Sequence, residues 1–484
     1  MFLVKYNSSG DIIKLLSFYI GSGSYTGEGG YFIFTPDTIR NELLVTGSSY
    51  GAMTLPDGTG LAGWKNTIFL LKMDPDGNIK WKKTAGGIGD DQAFGITYDP
   101  DGNIFISGSN SDSAKFDNIT IPPGGFIAKY DSNGNVIWAK HKFRYFKYPN
   151  DNGFPFDEAT PYRLLYHRNS LLVYGDILRS TVVIDTVTLN NPSGFRSAFI
   201  SSFTTSGDLK WIKCAGGPQG EPGGFNSCST DKLGDIFITG LFEHKGIFGN
   251  DTLIQPGLNE DAFLAKYDVN GNYYWATNLK CSVFADGWVV AADSGGGVYF
   301  AGNFDGTAYF GNNQITSKYV GSTQFLAKYS SNGNNIGVVQ YGVGGIYGLA
   351  LDNAHNICFT GAFLDTLTLG RQTYYSHGDY DFFAAKSSPI INSIETKSQQ
   401  DDKLLIYANP TTGICNIDIP ESFQNEKELN LYIYDTAGKL IQKVPVILGE
   451  DKITFDIRAQ AKGVYPVILT NGTKNFSGKI IFSN

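Results

Sequence analysis

The stretch Phe69–Gly87, FLLKMDPDGNIKWKKTAGG, decides the fold. A short β-prone strand containing Lys72 runs into Asp74-Pro-Asp76-Gly-Asn78, where the glycine supplies the positive φ a tight hairpin needs. A returning strand follows and carries Trp81. The same text recurs as FIAKYDSNGNVIWAKHKF from Phe126, FISSFTTSGDLKWIKCAGG from Phe199, FLAKYDVNGNYYWATNLK from Phe263 and FLAKYSSNGNNIGVVQYG from Phe325. A weaker copy, FLVKYNSSGDIIKLLSF, starts at Phe2, and a truncated one, FAAKSSP, at Phe383. Successive anchors lie 67, 57, 73, 64, 62 and 58 residues apart, about 64 on average. A second landmark keeps the same beat: an apolar run ending at Gly47, Gly108, Gly175, Gly240, Gly302 and Gly361. Two independent markers with one period establish an internal repeat.

Each unit reads as four strands: Phe-x-x-Lys, the returning strand, a third such as 93–99 or 288–293, and a fourth such as 102–108. Four antiparallel strands per repeat, with no helical periodicity between them, predict an all-β chain built as a β-propeller. An extra hairpin such as FGNDTLIQPG (248–257) absorbs the length beyond the commonest blades. Six third strands, six fourth, seven Phe-x-x-Lys strands and six returning strands point to six blades, with Asp11–Phe18 lending the last blade its returning strand. One strand is then left over, and a seven-bladed parent lacking its first two strands fits the count equally well. Residues 1–390 resemble the bacterial β-propeller (SBBP-like) repeats, with Lys14 and Gly337 standing at the tryptophan position in the degenerate end units.

Composition agrees. Glycine numbers 59 in 484 residues, aromatics reach 14%, and charged residues only 17%, the usage of short strands and tight turns. A net charge of −8 argues against nucleic acid, and no apolar run is long enough for a transmembrane helix. Five cysteines without ligand spacing (Cys214, Cys228, Cys281, Cys358, Cys415) are expected to be buried free thiols. The opening residues do not form a signal peptide.

After a polar linker (391–403), residues 404–484 change character and predict a small β-sandwich, with strands near 404–407, 414–419, 429–434, 452–457, 464–469 and 478–482. NPTTGICNIDI (409–419), LNLYIYDTAGKLIQ (429–442) and KGVYPVILTNG (462–472) resemble the C-terminal sorting domain of type IX secretion cargo, matched by Asn409, Pro410, Gly413, Tyr434, Asp435, Gly438, Gly463 and Tyr465. The resemblance implies a Gram-negative protein delivered by the type IX machinery to the cell surface or the medium. Such cargo first uses a signal peptide, so the natural start is expected upstream or the signal removed.

Catalytic signals are sparse, and the chain is expected not to be an enzyme. Gly47-Ser-Ser-Tyr-Gly51 matches the string of serine hydrolases but ends a repeat strand, without the elbow and helix that chemistry needs. The five histidines (His141, His167, His244, His355, His377) are scattered. The Asp-x-Asn/Asp-Gly-Asn turns resemble the start of a calcium loop but lack the later glutamate, so Ca²⁺ is a weak reading and no other cofactor is expected. The repeated Lys72, Lys129, Lys266 and Lys328 are expected to pair with an acid such as Asp99 or Asp293, and Trp81, Trp138, Trp211 and Trp275 to pack between blades. A residue that recurs in every unit serves the scaffold. A binding surface is therefore sought in unrepeated segments: Lys142–Pro161, with Arg144, Tyr145, Phe146, Tyr148, Phe154 and Phe156, and separately Trp64 and Trp288. The expected role is an exported binding or assembly module for an outer-membrane protein or surface glycan. The alternatives are a permanent outer-membrane complex subunit and a polysaccharide-degrading enzyme.

Overall fold

The computed structural model describes residues 2–20, 31–61, 66–144, 159–177, 181–190, 197–215, 221–255, 259–311, 313–318, 321–370, 372–388, 404, 406–420, 423, 429–435, 439–446, 452–471 and 475–483. The chain forms two compact units, Met1–Ile394 and Glu395–Asn484.

In the first unit the sheets are out of phase with the repeat as read along the chain. Each antiparallel sheet takes the third and fourth strands of one unit and the first two of the next. The first sheet is Tyr31–Asp37, Glu42–Tyr50, Asn66–Met73 and Ile79–Ala85. The second is Asp91–Tyr98, Ile104–Asn110, Gly124–Tyr130 and Val136–Arg144. The third is Ala159–His167, Ser170–Ile177, Ser197–Thr204 and Leu209–Ala215, and the fourth Glu221–Thr230, Ile236–Glu243, Asp261–Tyr267 and Tyr273–Cys281. Phe284–Ala292, Val298–Asp305, Thr323–Tyr329 and the first half of Asn335–Leu351 make the fifth. That last strand runs on unbroken, and its second half opens a sixth set with Ile357–Leu364 and Asp381–Ser387. The extra hairpins have a job at the rims. Thr181–Ile184 and Val187–Asn190 extend the second sheet beyond Val136–Arg144, and Thr307–Phe310 and Asn313–Thr316 extend the fourth, so these outer strands are not left as open edges.

The two sequence landmarks are cross-strand partners. Gly47 pairs with Phe69, Gly108 with Phe126, Gly175 with Phe199, Gly240 with Phe263, Gly302 with Phe325 and Gly361 with Phe383. From the second sheet onward the glycine is required because the first strand passes directly over it. At Gly240 a Cβ would stand 1.9 Å from the Gly224 carbonyl oxygen, and at Gly302 1.9 Å from that of Asp286. Phe126, Phe199, Phe263 and Phe325 are fully buried beside their glycines, each contributing about 2–3 kcal/mol of apolar burial.

The repeated tryptophans join neighbouring sheets. Trp81 Nε1 donates to the Ser132 carbonyl (3.3 Å), Trp211 to Val269 (3.1 Å) and Trp275 to Ser331 (3.0 Å), each in the hairpin turn of the following sheet. The turn glycine lies on the indole: Gly134 on Trp81, Gly207 on Trp138, Gly271 on Trp211, Gly333 on Trp275.

The N-terminal strands repeat this relation with the first sheet. Phe2–Tyr6 pairs with Ile12–Ser17, Lys5 Nζ donates to the Pro75 carbonyl (2.8 Å), and Gly77 lies on Leu16. On the other side Phe2 meets Phe382 of the sixth set, ring centroids 5.2 Å apart. The lending of Asp11–Phe18 to the last sheet is thereby corrected. Among the described residues Ile12–Ser17 pairs with Phe2–Tyr6 alone, and Asp381–Ser387 with Ile357–Leu364 alone. A strand six residues away across a tight turn closes at far lower entropic cost than one more than 360 residues off.

The second unit has two antiparallel sheets. One is Ile406–Tyr407, Ile414–Asp418 and Lys452–Asp456; the other is Leu440–Pro445, Asn430–Tyr434, Gly463–Thr470 and Asn475–Phe482. Alternate residues (Cys415, Ile417, Leu431, Ile433, Val467, Leu469) are buried in a common core, with Phe423 and Phe476 edge to face at 4.7 Å. The strand Leu440–Pro445 was not foreseen, because its burial is slight and its pattern gives no clear alternation.

Candidate functional site

In the second unit the motif residues act as stitches. Asn409 Nδ2 donates to the Lys479 carbonyl and its Oδ1 accepts from the Ile481 amide, both at 2.7 Å, fixing the Asn-Pro corner to the last strand. Gly413 lies at φ 154, its amide donates to Thr411 Oγ1, and a Cβ there would strike the Arg458 stem at 2.4 Å. Asp435 caps a turn by accepting from the Lys439 amide (2.9 Å), and the buried Tyr465 donates its hydroxyl to the Ala461 carbonyl. Gly463 begins the strand that carries Tyr465, and Tyr434 ends its neighbour; Gly438 lies outside the described residues.

In the first unit the repeated lysines are paired with acids. Lys129 meets Asp99 (3.8 Å), Lys266 meets Asp235 (2.7 Å), Lys328 meets Asp293 (3.6 Å) and Lys386 meets Asp352 (2.7 Å). Lys72 meets Glu42 at 2.5 Å, and Lys80 shares the same carboxylate. Burial alone would raise the Glu42 carboxyl; Lys72 and Lys80 together hold it below the ordinary range.

The turn carboxylates are used by their own loops. Asp74, Asp131 and Asp268 each accept from the backbone amide and the side-chain Nδ2 of the asparagine four residues on. Among the described residues no three His, Cys, Asp or Glu gather as a metal site would require. Ser48 and Ser49 sit within Glu42–Tyr50, an ordinary strand running up to Gly51 at φ 76, so the hydrolase string has no elbow. All five cysteines are free, but only Cys281 and Cys415 are buried; Cys214 is exposed, which corrects the expectation for it.

Tyr145, Phe146, Tyr148, Phe154, Phe156 and Trp64 lie outside the described residues, while Arg144 is exposed at the end of Val136–Arg144. Trp288 is described, and it belongs to a group the sequence did not assemble. Opposite the landmark glycine the first strand bulges in five sheets, between Ala93 and Gly95, Thr160 and Arg163, Phe225 and Ser227, Gly287 and Val289, and Ile346 and Gly348. A bulge re-aims the extra side chain out of the ladder. The residues so placed are Phe94, Tyr162, Asn226, Trp288 and Tyr347. Neighbours among them touch: Phe94 and Tyr162 at 5.5 Å, Trp288 and Tyr347 edge to face at 5.6 Å, and Asn226 Nδ2 on the Gly287 carbonyl at 2.9 Å. Trp288 Nε1 donates to Asn303 Oδ1, and Asn303 Nδ2 reaches Ser322 Oγ at 2.5 Å and Asp286 Oδ2 at 3.4 Å. Burial raises the Asp286 carboxyl, and its Oδ1 is buried without a hydrogen-bond partner. Tyr347 is 55% exposed. What could have found this group was an offset: each residue lies 13 or 14 positions before its landmark glycine.

Two further acids stand out. Asp261 is fully buried and accepts from Asn278 Nδ2 and the Cys281 amide, both at 3.1 Å; burial lifts its carboxyl to about 7. Asp91, also fully buried, is lifted to about 6 by burial and the charges of Asp90 and Asp112, against the Gly87 amide that donates to it.

Residues 405–483 match the family described as the secretion system C-terminal sorting domain. That domain makes the protein a substrate of the type IX secretion machinery, exported to the surface or surroundings of a Gram-negative cell. Over 195 residues the chain is 23% identical to the regulatory protein FlaEY of Caulobacter vibrioides, covering 36% of this chain and 17% of that protein's length. Among solved structures, a chain described as the extracellular domain of BT4673 from B. thetaiotaomicron shares 8% identity, over 99% of this chain and 78% of its own, at a TM-score of 0.18. A member of the duf4221 family from Bacteroides vulgatus shares 10% identity, over 74% of this chain and 92% of its own, at a TM-score of 0.33.

Proposed function

We propose that the first unit is a β-propeller of seven sectors and that the protein is an exported, non-catalytic binding or assembly module. The observation that carries the architecture is the circuit of contacts. The first, third and fourth sheets clasp the turn of the next through tryptophan and the second through Lys140, and the hairpin Phe2–Ser17 stands between the sixth set and the first sheet. Five sectors have four strands, one has three and the hairpin supplies two. A rigid ring that brings unlike side chains of five strands to equivalent positions is a platform for recognition.

A permanent place in an outer-membrane complex is the second reading. It is favoured by exposed apolar side chains around the hairpin: Phe2, Ile12, Ile13, Leu15 and, on the adjoining set, Phe382. Cross-linking mass spectrometry on intact cells separates the two. Near-stoichiometric links from the hairpin to one outer-membrane protein support the complex subunit; surface protein without such links supports a free binding module. Turnover of surface polysaccharide by the purified full chain would contradict both.

A further inference from the structure

We infer that the bulge residues Trp288, Tyr347 and Asn226, with Asp286 and Asn303 beneath them, form a binding site for a neutral oligosaccharide. The inference rests on the reading of the protein as a binding module and names the site and ligand class. Four of the five bulge positions are aromatic, and the fifth is an amide. Residues that serve the scaffold are the same in nearly every unit, as the landmark Gly and Phe are. Here the identities differ from strand to strand at one structural position, while flat rings and amides are kept.

The chemistry suits a sugar. Trp288 and Tyr347 meet edge to face, which leaves ring surface for the C–H face of a pyranose. The indole is locked by its hydrogen bond to Asn303, so little side-chain freedom is lost when a ligand arrives. Asp286 Oδ1 has an unused acceptor beside them, which a hydroxyl can satisfy. Asp286 is joined to the Trp288 end through Asn303, and its acceptor oxygens disfavour an anionic glycan there.

The test is titration calorimetry of the full chain against neutral hexasaccharides of glucose, mannose and xylose and a hexamer of uronic acid, with intrinsic fluorescence followed in parallel. Binding of a neutral hexamer is expected, weakened about tenfold or more by Trp288→Ala and by Tyr347→Ala. Tyr347 is exposed, so its variant should fold normally even if Trp288→Ala does not. Neutral-sugar binding that survives both substitutions overturns the site but leaves the binding-module reading intact. Preference for the uronic acid hexamer, or no binding to any of the four, overturns the ligand class. Failure of the wider reading would show separately, as hydrolysis of the sugars.

Discussion

Replacing Gly240 by alanine isolates the contact that makes the repeat what it is. The added Cβ would lie 1.9 Å from the Gly224 oxygen and 3.0 Å from both the Gly224 carbonyl carbon and Phe263 Cε1. Ordinary contact is near 3.4 Å, so the first strand must retreat by more than an ångström. That strand is held by ladder pairs on either side, Leu241 with Gly224 and Phe225 with Gly240. Retreat disrupts one or two buried backbone hydrogen bonds at about 1–3 kcal/mol each. Repacking Phe263 costs about 1–3 kcal/mol more. Reduced freedom of the unfolded chain offsets about 0.4–1 kcal/mol. The expected loss is about 3–4 kcal/mol. Gly60→Ala is the control: its Cβ meets only the Met53 oxygen at 3.9 Å, and the change should stay within about 0.5 kcal/mol. All six tryptophans precede residue 289, so urea unfolding followed by tryptophan fluorescence reports the first unit alone. A Gly240→Ala protein within about 1 kcal/mol of wild type would refute the close-passage argument.

Lys266→Met leaves Asp235 without the ammonium 2.7 Å away and should cost about 2 kcal/mol, most of it recovered in the double variant with Asp235→Asn; equal urea midpoints for wild type and single variant would contradict this. Asp261 holds a proton in the folded state that the unfolded chain, at the ordinary 3.8, releases. Its contribution to stability is complete below about pH 4 and is lost as pH rises to about 7. Asp261→Asn should therefore gain on wild type across that window and run parallel above it; parallel curves throughout would refute the burial argument. Asn409→Ala removes two 2.7 Å hydrogen bonds and should cost the sorting domain about 2 kcal/mol, seen as a lower exported fraction by immunoblot of medium and cell fractions.

Much of this architecture was legible because the repeat is written in residues with strict local duties. Gly240 and Phe263, read only as two markers with one period, prove to be cross-strand partners. Lys266 and Trp275 likewise face each other across the next pair of strands. The sheet phase was not legible, since a repeat has no intrinsic starting point and hydrogen bonding chose another. Nor was the run-on strand Asn335–Leu351, whose glycines at 342, 344, 345 and 348 are poor strand formers and whose register shifts between its two partners. The position of the hairpin Phe2–Ser17 depends on contacts with both ends of the unit, which strand counting cannot weigh. The bulge group escaped notice because its members share a place and not an identity. Trp288 was singled out as unrepeated, but Tyr347 and Asn226 look unremarkable until the bulges align them.

The circuit itself is tested most directly by zero-length carbodiimide cross-linking of the full chain, read by mass spectrometry. Lys266–Asp235 and Lys386–Asp352, both 2.7 Å apart, are internal controls. With the hairpin standing before the first sheet, a Lys5–Asp76 link is expected across the 3.7 Å that separates them. If both controls form while Lys5–Asp76 does not, and Lys14 instead links to Asp381, the hairpin strand lies along the sixth set and the seven-sector ring is wrong.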